Sequence, residues 1–237
     1  MNNQDYKNDA LRALKGNWAP SILATVVYMA IMLVAMLPYV ISTNKLSEQY
    51  GAMVTDPAMA MEYASRTMQA NGLMFIVMLI LAYPAGIGLM NAFKKLLREG
   101  DSNVTGNMFS IAITRYGRNI WTMFLMGLFI SLWSLLFIIP GIIASFSYAM
   151  APFILHDNPE ISGYEAIRRS KAMMKGHKFD LFYLLLSFIG WGILCLFTLG
   201  IGYLWLMPYM QTSVASFYDD IKADFGEGFD AEIKMSM

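Results

Sequence analysis

Long apolar runs alternate with short polar bridges along this chain, and the bridges mark out its elements. Six apolar segments cover about 19–41, 72–93, 119–139, 142–155, 180–198 and 202–218. No charged residue occurs between Ile120 and Leu155, or between Leu181 and Tyr218. As one straight helix the first of these runs would be roughly 54 Å long, against a hydrocarbon core of about 30 Å. Each run therefore divides in two, the first at Pro140-Gly141 within "LLFIIPGIIASF" and the second at "TLGIG", residues 198–202. Proline removes a helix donor there and glycine tolerates turn dihedrals, so the two breaks read as equivalent. Backbone amides in lipid must bond within their own segment, and no period-two alternation is present, so the segments are expected to be helices.

The register of the breaks points to a repeat. Gly117 in "RYGRN" lies 24 residues before Gly141, and Gly176 in "MKGHK" lies 24 residues before Gly200. Gly16 in "LKGNW" opens a third unit, and each second helix carries a proline, Pro84, Pro152 or Pro208. The expected fold is all-α: a polytopic membrane protein with six transmembrane helices, in three tandem helical hairpins that start from the same side, with short cytoplasmic amphipathic helices. Residues 1–218 form the membrane domain, with an outer loop at 42–71, and 219–237 an acidic cytoplasmic tail. In the outer loop Asp56 reads as a cap and Pro57 as the first residue of a short exposed helix. That segment reads as a solvated loop in preference to a substrate-binding lid.

Charge assigns the sides. With the N-terminus in the cytoplasm, only Lys45 and Arg66 of the 17 lysines and arginines lie outside, the distribution of a positive-inside protein with both termini cytoplasmic. Composition agrees with membrane residence: 57% of residues are hydrophobic, 14% are charged and mean hydropathy is +0.47, far from a soluble domain. Formal net charge is zero, so nothing calls for a nucleic acid partner. The single cysteine, Cys195, rules out an internal disulfide and a cysteine-built metal centre. The first apolar stretch has no A-x-A-like cleavage site and reads as a retained span.

Residues 162–178, "SGYEAIRRSKAMMKGHK", are the most informative polar stretch. Ser162 and Glu165 have capping-box spacing. At 100° per residue Ala166, Ile167, Ser170, Met173 and Met174 share one face, and Glu165, Arg168, Arg169, Lys171 and Lys175 the other. The basic residues are candidates for contact with anionic lipid headgroups, weighed against a plain connector that obeys the positive-inside rule. Shorter amphipathic segments, "DALRALKG" and "NMFSIAITRYG", precede the other two hairpins.

From "IPGIIASF" through "HDNPEISGYEAIRRSKAMMKGHK" to "SFIGW" and "GIGYLWLMPY" the chain resembles a bacterial integral membrane family of unknown function, domain of unknown function 975. The resemblance continues more weakly from "ALKGNW" onward and leaves out the outer loop and the tail. It implies a six-helix protein of the bacterial cytoplasmic (inner) membrane, with no activity, cofactor or catalytic residue to carry over.

The spans hold no His, Asp or Glu near their midpoints, which counts against intramembrane hydrolysis and a carboxylate proton relay. No Walker, dinucleotide, H-E-x-x-H or G-x-S-x-G motif occurs. His156 and Asp157, with His177 and Asp180, are weak candidates for a metal site if the two pairs meet. Asn91, Gln211, Thr212 and Ser213 are candidates to line a pathway, weighed against interhelical hydrogen bonding. The expected function is a non-enzymatic structural or accessory factor that needs no cofactor, its partners membrane lipids and a membrane protein or a second copy of itself. The alternative is a small-solute or ion transporter with its site between the hairpins.

Overall fold

The computed structural model describes residues 1–50 and 57–235, with side chains to residue 225 in the last helix. Among them every regular element is helical. The helices are α1 (Asn3–Leu14), α2 (Trp18–Tyr50), α3 (Pro57–Val77), α4 (Tyr83–Glu99), α5 (Val104–Ile113), α6 (Tyr116–Leu136), α7 (Ile138–Tyr148), α8 (Ala151–Asp157), α9 (Gly163–Met173), α10 (Lys178–Leu186), α11 (Ile189–Phe197) and α12 (Tyr203–Met235). A π turn, Met78–Ala82, joins α3 to α4.

Among the described residues five helices are long and apolar enough to cross a membrane: Trp18–Tyr50, Pro57–Glu99, Tyr116–Leu136, Ile138–Asp157 and Lys178–Phe197. These contain the first five expected spans. The sixth, 202–218, is not among them, which corrects the count of six read from sequence. Its helix carries Gln211, Thr212, Ser213 and Ser216 and runs on into Asp219 and Asp220. Thr212, Ser213, Ala215, Phe217 and Tyr218 are fully buried, so this helix is enclosed by protein and does not need the apolar surface that lipid demands. α12 runs on from this segment through position 219, where the sequence places the start of the tail.

The outer loop is also more regular than expected. α2 extends to Tyr50, and from Pro57 the chain stays helical to Glu99, so a helix of 43 residues replaces a short one. Asp56, the expected cap, lies outside the described residues. The π turn has a local cause. Pro84 has no N–H for the carbonyl of Ile80, four residues earlier, and the hydroxyl of Tyr116, at the start of α6, donates to that carbonyl instead. Near Pro152 the chain breaks at Ala149-Met150, where Ser170 of α9 donates to Ser147 O at 2.8 Å while accepting from Met150 N at 3.2 Å.

The reversal within 120–155 falls at Phe137 (φ −159°, ψ 152°), not at Pro140-Gly141. Pro140 sits in the first turn of α7, where a missing N–H is harmless. Gly141 is helical, and its lack of a side chain matters for packing: a Cβ there would lie 2.9 Å from Ser134 Cβ and 3.0 Å from Ser134 Cα. The break at 198–202 is of another kind, with Leu199 (φ 52°) and Gly200 (φ 87°) both left-handed. The two breaks are therefore not equivalent.

Three short helices do recur before α2, α6 and α10, and each is followed by a left-handed residue: Gly16 (φ 84°), Arg115 (φ 54°) and Gly176 (φ 97°). In the middle case the position is Arg115 and not the expected Gly117. The Arg115 guanidinium bonds Pro159 O and Glu160, and these contacts hold a conformation uncommon without glycine. α1 packs on α12, α5 on α4 and α9 on α8, while α4 touches both α8 and α12. The core thus sits where α4, α8 and α12 converge, around Phe93, Phe153, Phe217 and Tyr218. α2, α6 and α11 instead expose Leu33, Trp121, Leu132 and Leu194, an outer surface suited to hydrocarbon.

Gly141→Ala is expected to destabilise the protein by about 1–3 kcal/mol, the usual cost of overpacking, read as thermal unfolding in detergent. Adding Ser134→Gly should restore part of the loss; a Gly141→Ala variant as stable as the parent would exclude this close contact of α6 with α7.

Candidate functional site: a buried charged hub

Asp157 ends α8, Lys94 and Arg98 stand one turn apart near the end of α4, and Tyr218 and Lys222 stand one turn apart on α12. Spacing of four residues places each pair on one helix face, and the convergence of the three helices brings those faces together. The Lys94 and Asp157 side chains are 2% and 7% exposed, and they form an ion pair. Asp157 also accepts from Lys222 at 2.5 Å, from Tyr218 at 3.0 Å and from the two terminal nitrogens of Arg98 at 3.2 and 3.3 Å. Arg98 reaches Asp219 as well, through Nε at 3.0 Å.

Four donors around one carboxylate compensate for its removal from water, and the aromatic floor adds to this. The Tyr218 ring stacks on Phe153 with centroids 4.9 Å apart and planes at 18°. Lys94, Lys222 and Arg98 all lie within 5.9 Å of the Tyr218 centroid, inside the range of cation–π attraction. Lys94 Nζ completes its shell with Phe153 O at 3.5 Å and His156 Nδ1 at 3.3 Å. A second polar contact fixes α1 to α12: the Tyr6 hydroxyl and the N-terminal ammonium donate to Asp220 at 2.6 and 3.0 Å. Partial burial pushes the Asp220 carboxyl up, but these two hydrogen bonds outweigh it and hold it below the usual carboxylate range. Burial, then the bond to Asp220, pushes the Tyr6 phenol well above its ordinary value.

The residues singled out from sequence are dispersed. His156 and Asp157 belong to the hub, whereas His177 pairs with Asp180 at 3.1 Å beside Tyr6 and Asp220. Among the described residues no group of three metal-ligating side chains comes together. Asn91 is buried between α4 and α8, donating to Ile87 O at 2.9 Å and Pro152 O at 3.2 Å, and its Oδ1 has no partner among the described residues. Thr212 and Ser213 donate to carbonyls of their own helix, Pro208 O and Tyr209 O, at 2.8 and 2.9 Å. Gln211 is half-buried on the same helix.

On α9 the Ser162 cap forms, accepting from Glu165 N at 3.2 Å, while the Glu165 side chain turns to Arg168 and Arg169 at 2.8 and 3.0 Å. Lys171 and Lys175 are exposed. The opposite face, Ala166, Ile167, Ser170, Met173 and Met174, is buried and rests on α6, α7 and α8, so it is covered by protein and not by lipid.

Sequence reasoning did not single out Lys94, Arg98, Tyr218, Asp219 or Lys222. Charges just beyond the ends of apolar segments read as topology signals, and only the four-residue spacing of Lys94 with Arg98 and of Tyr218 with Lys222 hinted at a shared face.

Residues 135–224 match a protein-family model described as "Protein of unknown function (DUF975)". No curated protein and no solved structure matches the chain.

Asp157→Asn should be the most destabilising single change at the hub, by about 3–5 kcal/mol, because it leaves the buried Lys94 ammonium without its carboxylate. Lys94→Met should cost less, since Asp157 keeps three other donors. Thermal unfolding of the two variants in detergent checks the order, and the reverse order would displace Asp157 from the centre of the network.

Proposed function

We propose that this chain, matched over 135–224 by a family without assigned function and built on five apolar helices, is a non-enzymatic structural or accessory factor of a bacterial cytoplasmic membrane. It contacts lipid and a partner protein or a second copy of itself. The observation that carries this reading is the closure of the hub. Its buried charges face one another and the aromatic floor, an arrangement that locks α4, α8 and α12 together and leaves the Asp157 carboxylate saturated with donors.

The finer architecture in this reading is three tandem hairpins with both termini in the cytoplasm. Parity supports it. Both the N-terminal ammonium and Tyr6 bond Asp220, so the first residues and this part of α12 share a side, and the crossings between them are even in number. Five apolar helices among the described residues precede that point, and α12, shielded by protein, returns the chain to the same side. The lysine and arginine distribution then sets the shared side as cytoplasmic.

A second reading, passage of a small solute or ion between the hairpins, is favoured by one observation: the buried Asn91 Oδ1, unpartnered among the described residues, lies one helical turn from Lys94.

Two measurements test these readings. In a Cys195→Ser background, cysteines at Ser47 and Ser65 are expected to react with an impermeant thiol reagent in intact spheroplasts, and cysteines at Ser102 and Lys171 only after lysis; external labelling of Lys171→Cys overturns the arrangement of hairpins that start from the cytoplasmic side. Purified protein in liposomes is expected to pass potassium, sodium and protons no faster than empty liposomes. Flux several-fold above that background, abolished by Asn91→Ala, replaces the accessory reading with the transport one.

A further inference from the structure

An apolar cavity of about 520 Å³ lies beside the α11–α12 turn, apart from the hub. Its volume falls within the range of about 300–1,000 Å³ usual for small-ligand sites. Trp18, Trp191 and Trp205 form aromatic walls, and Leu194, Leu206 and Tyr209 fill in between. α11 and α12 are joined through the left-handed Leu199-Gly200 pair, and at the cavity wall Gly202 sits against Cys195.

Two properties of the rim identify the occupant. Trp191 and Leu194, each 56% exposed, stand on α11 in an apolar helix suited to crossing a membrane, and Trp205 of α12 is 48% exposed; this rim meets lipid tails, so the cavity opens toward acyl chains. On the other side, Leu11 lines this cavity and shares one outer face of α1 with Asn8, Arg12 and Lys15. Lys15 has no carboxylate partner among the described residues. Arg12 pairs only with Asp9 of its own helix, its side chain 78% exposed, which leaves most of its five donors outward. An apolar slot thus continues, across one leucine, into a cationic patch.

We propose that the cavity binds one acyl chain of an anionic membrane phospholipid, with the lipid phosphate against Arg12 and Lys15. The chain contributes apolar burial among the indoles, and the phosphate contributes charge-assisted hydrogen bonds at the membrane surface. This assignment rests on the membrane reading of the apolar helices alone, so it is independent of the outcome of the flux assay. It also differs from headgroup contact by α9, whose apolar face is already covered.

Native mass spectrometry of the full chain after equilibration with dioleoyl phosphatidylglycerol or dioleoyl phosphatidylcholine reads the site directly. The parent is expected to retain one phosphatidylglycerol, at least five-fold more than phosphatidylcholine. Leu194→Trp, at an exposed position that fills the slot, should lose both lipids. The Arg12→Gln/Lys15→Gln pair should retain both lipids equally, having lost only the preference for the anion. A fold-independent arm uses the parent sequence with Trp121→Phe and Trp133→Phe, where brominated phosphatidylglycerol should quench the cavity tryptophans saturably. Equal retention of the two lipids by the parent, undiminished retention by Leu194→Trp, unsaturable quenching, or displacement of phosphatidylglycerol by equimolar oleate each overturns the proposal, the last by assigning the slot to a free fatty acid.

Discussion

The carboxylate of Asp157 is the interaction on which the arrangement of the core depends. A lone carboxylate removed from water is strongly unfavourable, and only partners at short range offset that. Its donors come from two other helices, Lys94 and Arg98 from α4 and Tyr218 and Lys222 from α12. Because apolar side chains tolerate sliding and charged ones do not, the hub fixes the register of three helices whose other contacts are largely non-directional. The stacked Phe153 and Tyr218 then exclude water from the pair and sharpen the penalty for any misalignment.

A second constraint operates where prolines interrupt the return helices. Each proline removes one backbone donor, and in α4 and at the α7–α8 junction a side chain from a different unit meets the exposed backbone: Tyr116 for Ile80, Ser170 for Ser147 and Met150. In a region poor in water these are the polar groups that must be satisfied first. The kinks and the packing of neighbouring units are thus one phenomenon.

Much of this was legible in the sequence. Helical spans, the Ser162 cap and the buried face of α9 all follow from periodicity and capping chemistry, which are local. What was not legible is tertiary. Pro140 and Gly141 look like a turn, yet Phe137 reverses the chain, since proline is equally at home in a first turn and Gly141 answers to Ser134. Arg115 takes the left-handed position in place of Gly117 because Pro159 and Glu160 hold its side chain. α12 was counted as an apolar span from its uncharged length, whereas its polar side chains are accommodated by enclosure within protein. The hub was hidden for the same reason: Lys94 and Asp157 carry the signature of membrane-boundary charges, and only the folded chain shows that they face inward.

The packing of α1 along α12, tied by Tyr6 and Asp220, has a consequence for biosynthesis. α1 leaves the ribosome long before its partner α12, since Asp220 follows Tyr6 by 214 residues. Leu14 meets Ala24 and Leu89 before then, but Tyr6 waits for Phe217 and Asp220. Contacts of such high sequence separation form late, so the joining of α1 to α12 is a late step of assembly, and a ribosome that stalls before α12 leaves an open, half-zipped bundle with the Tyr6 end of α1 uncovered.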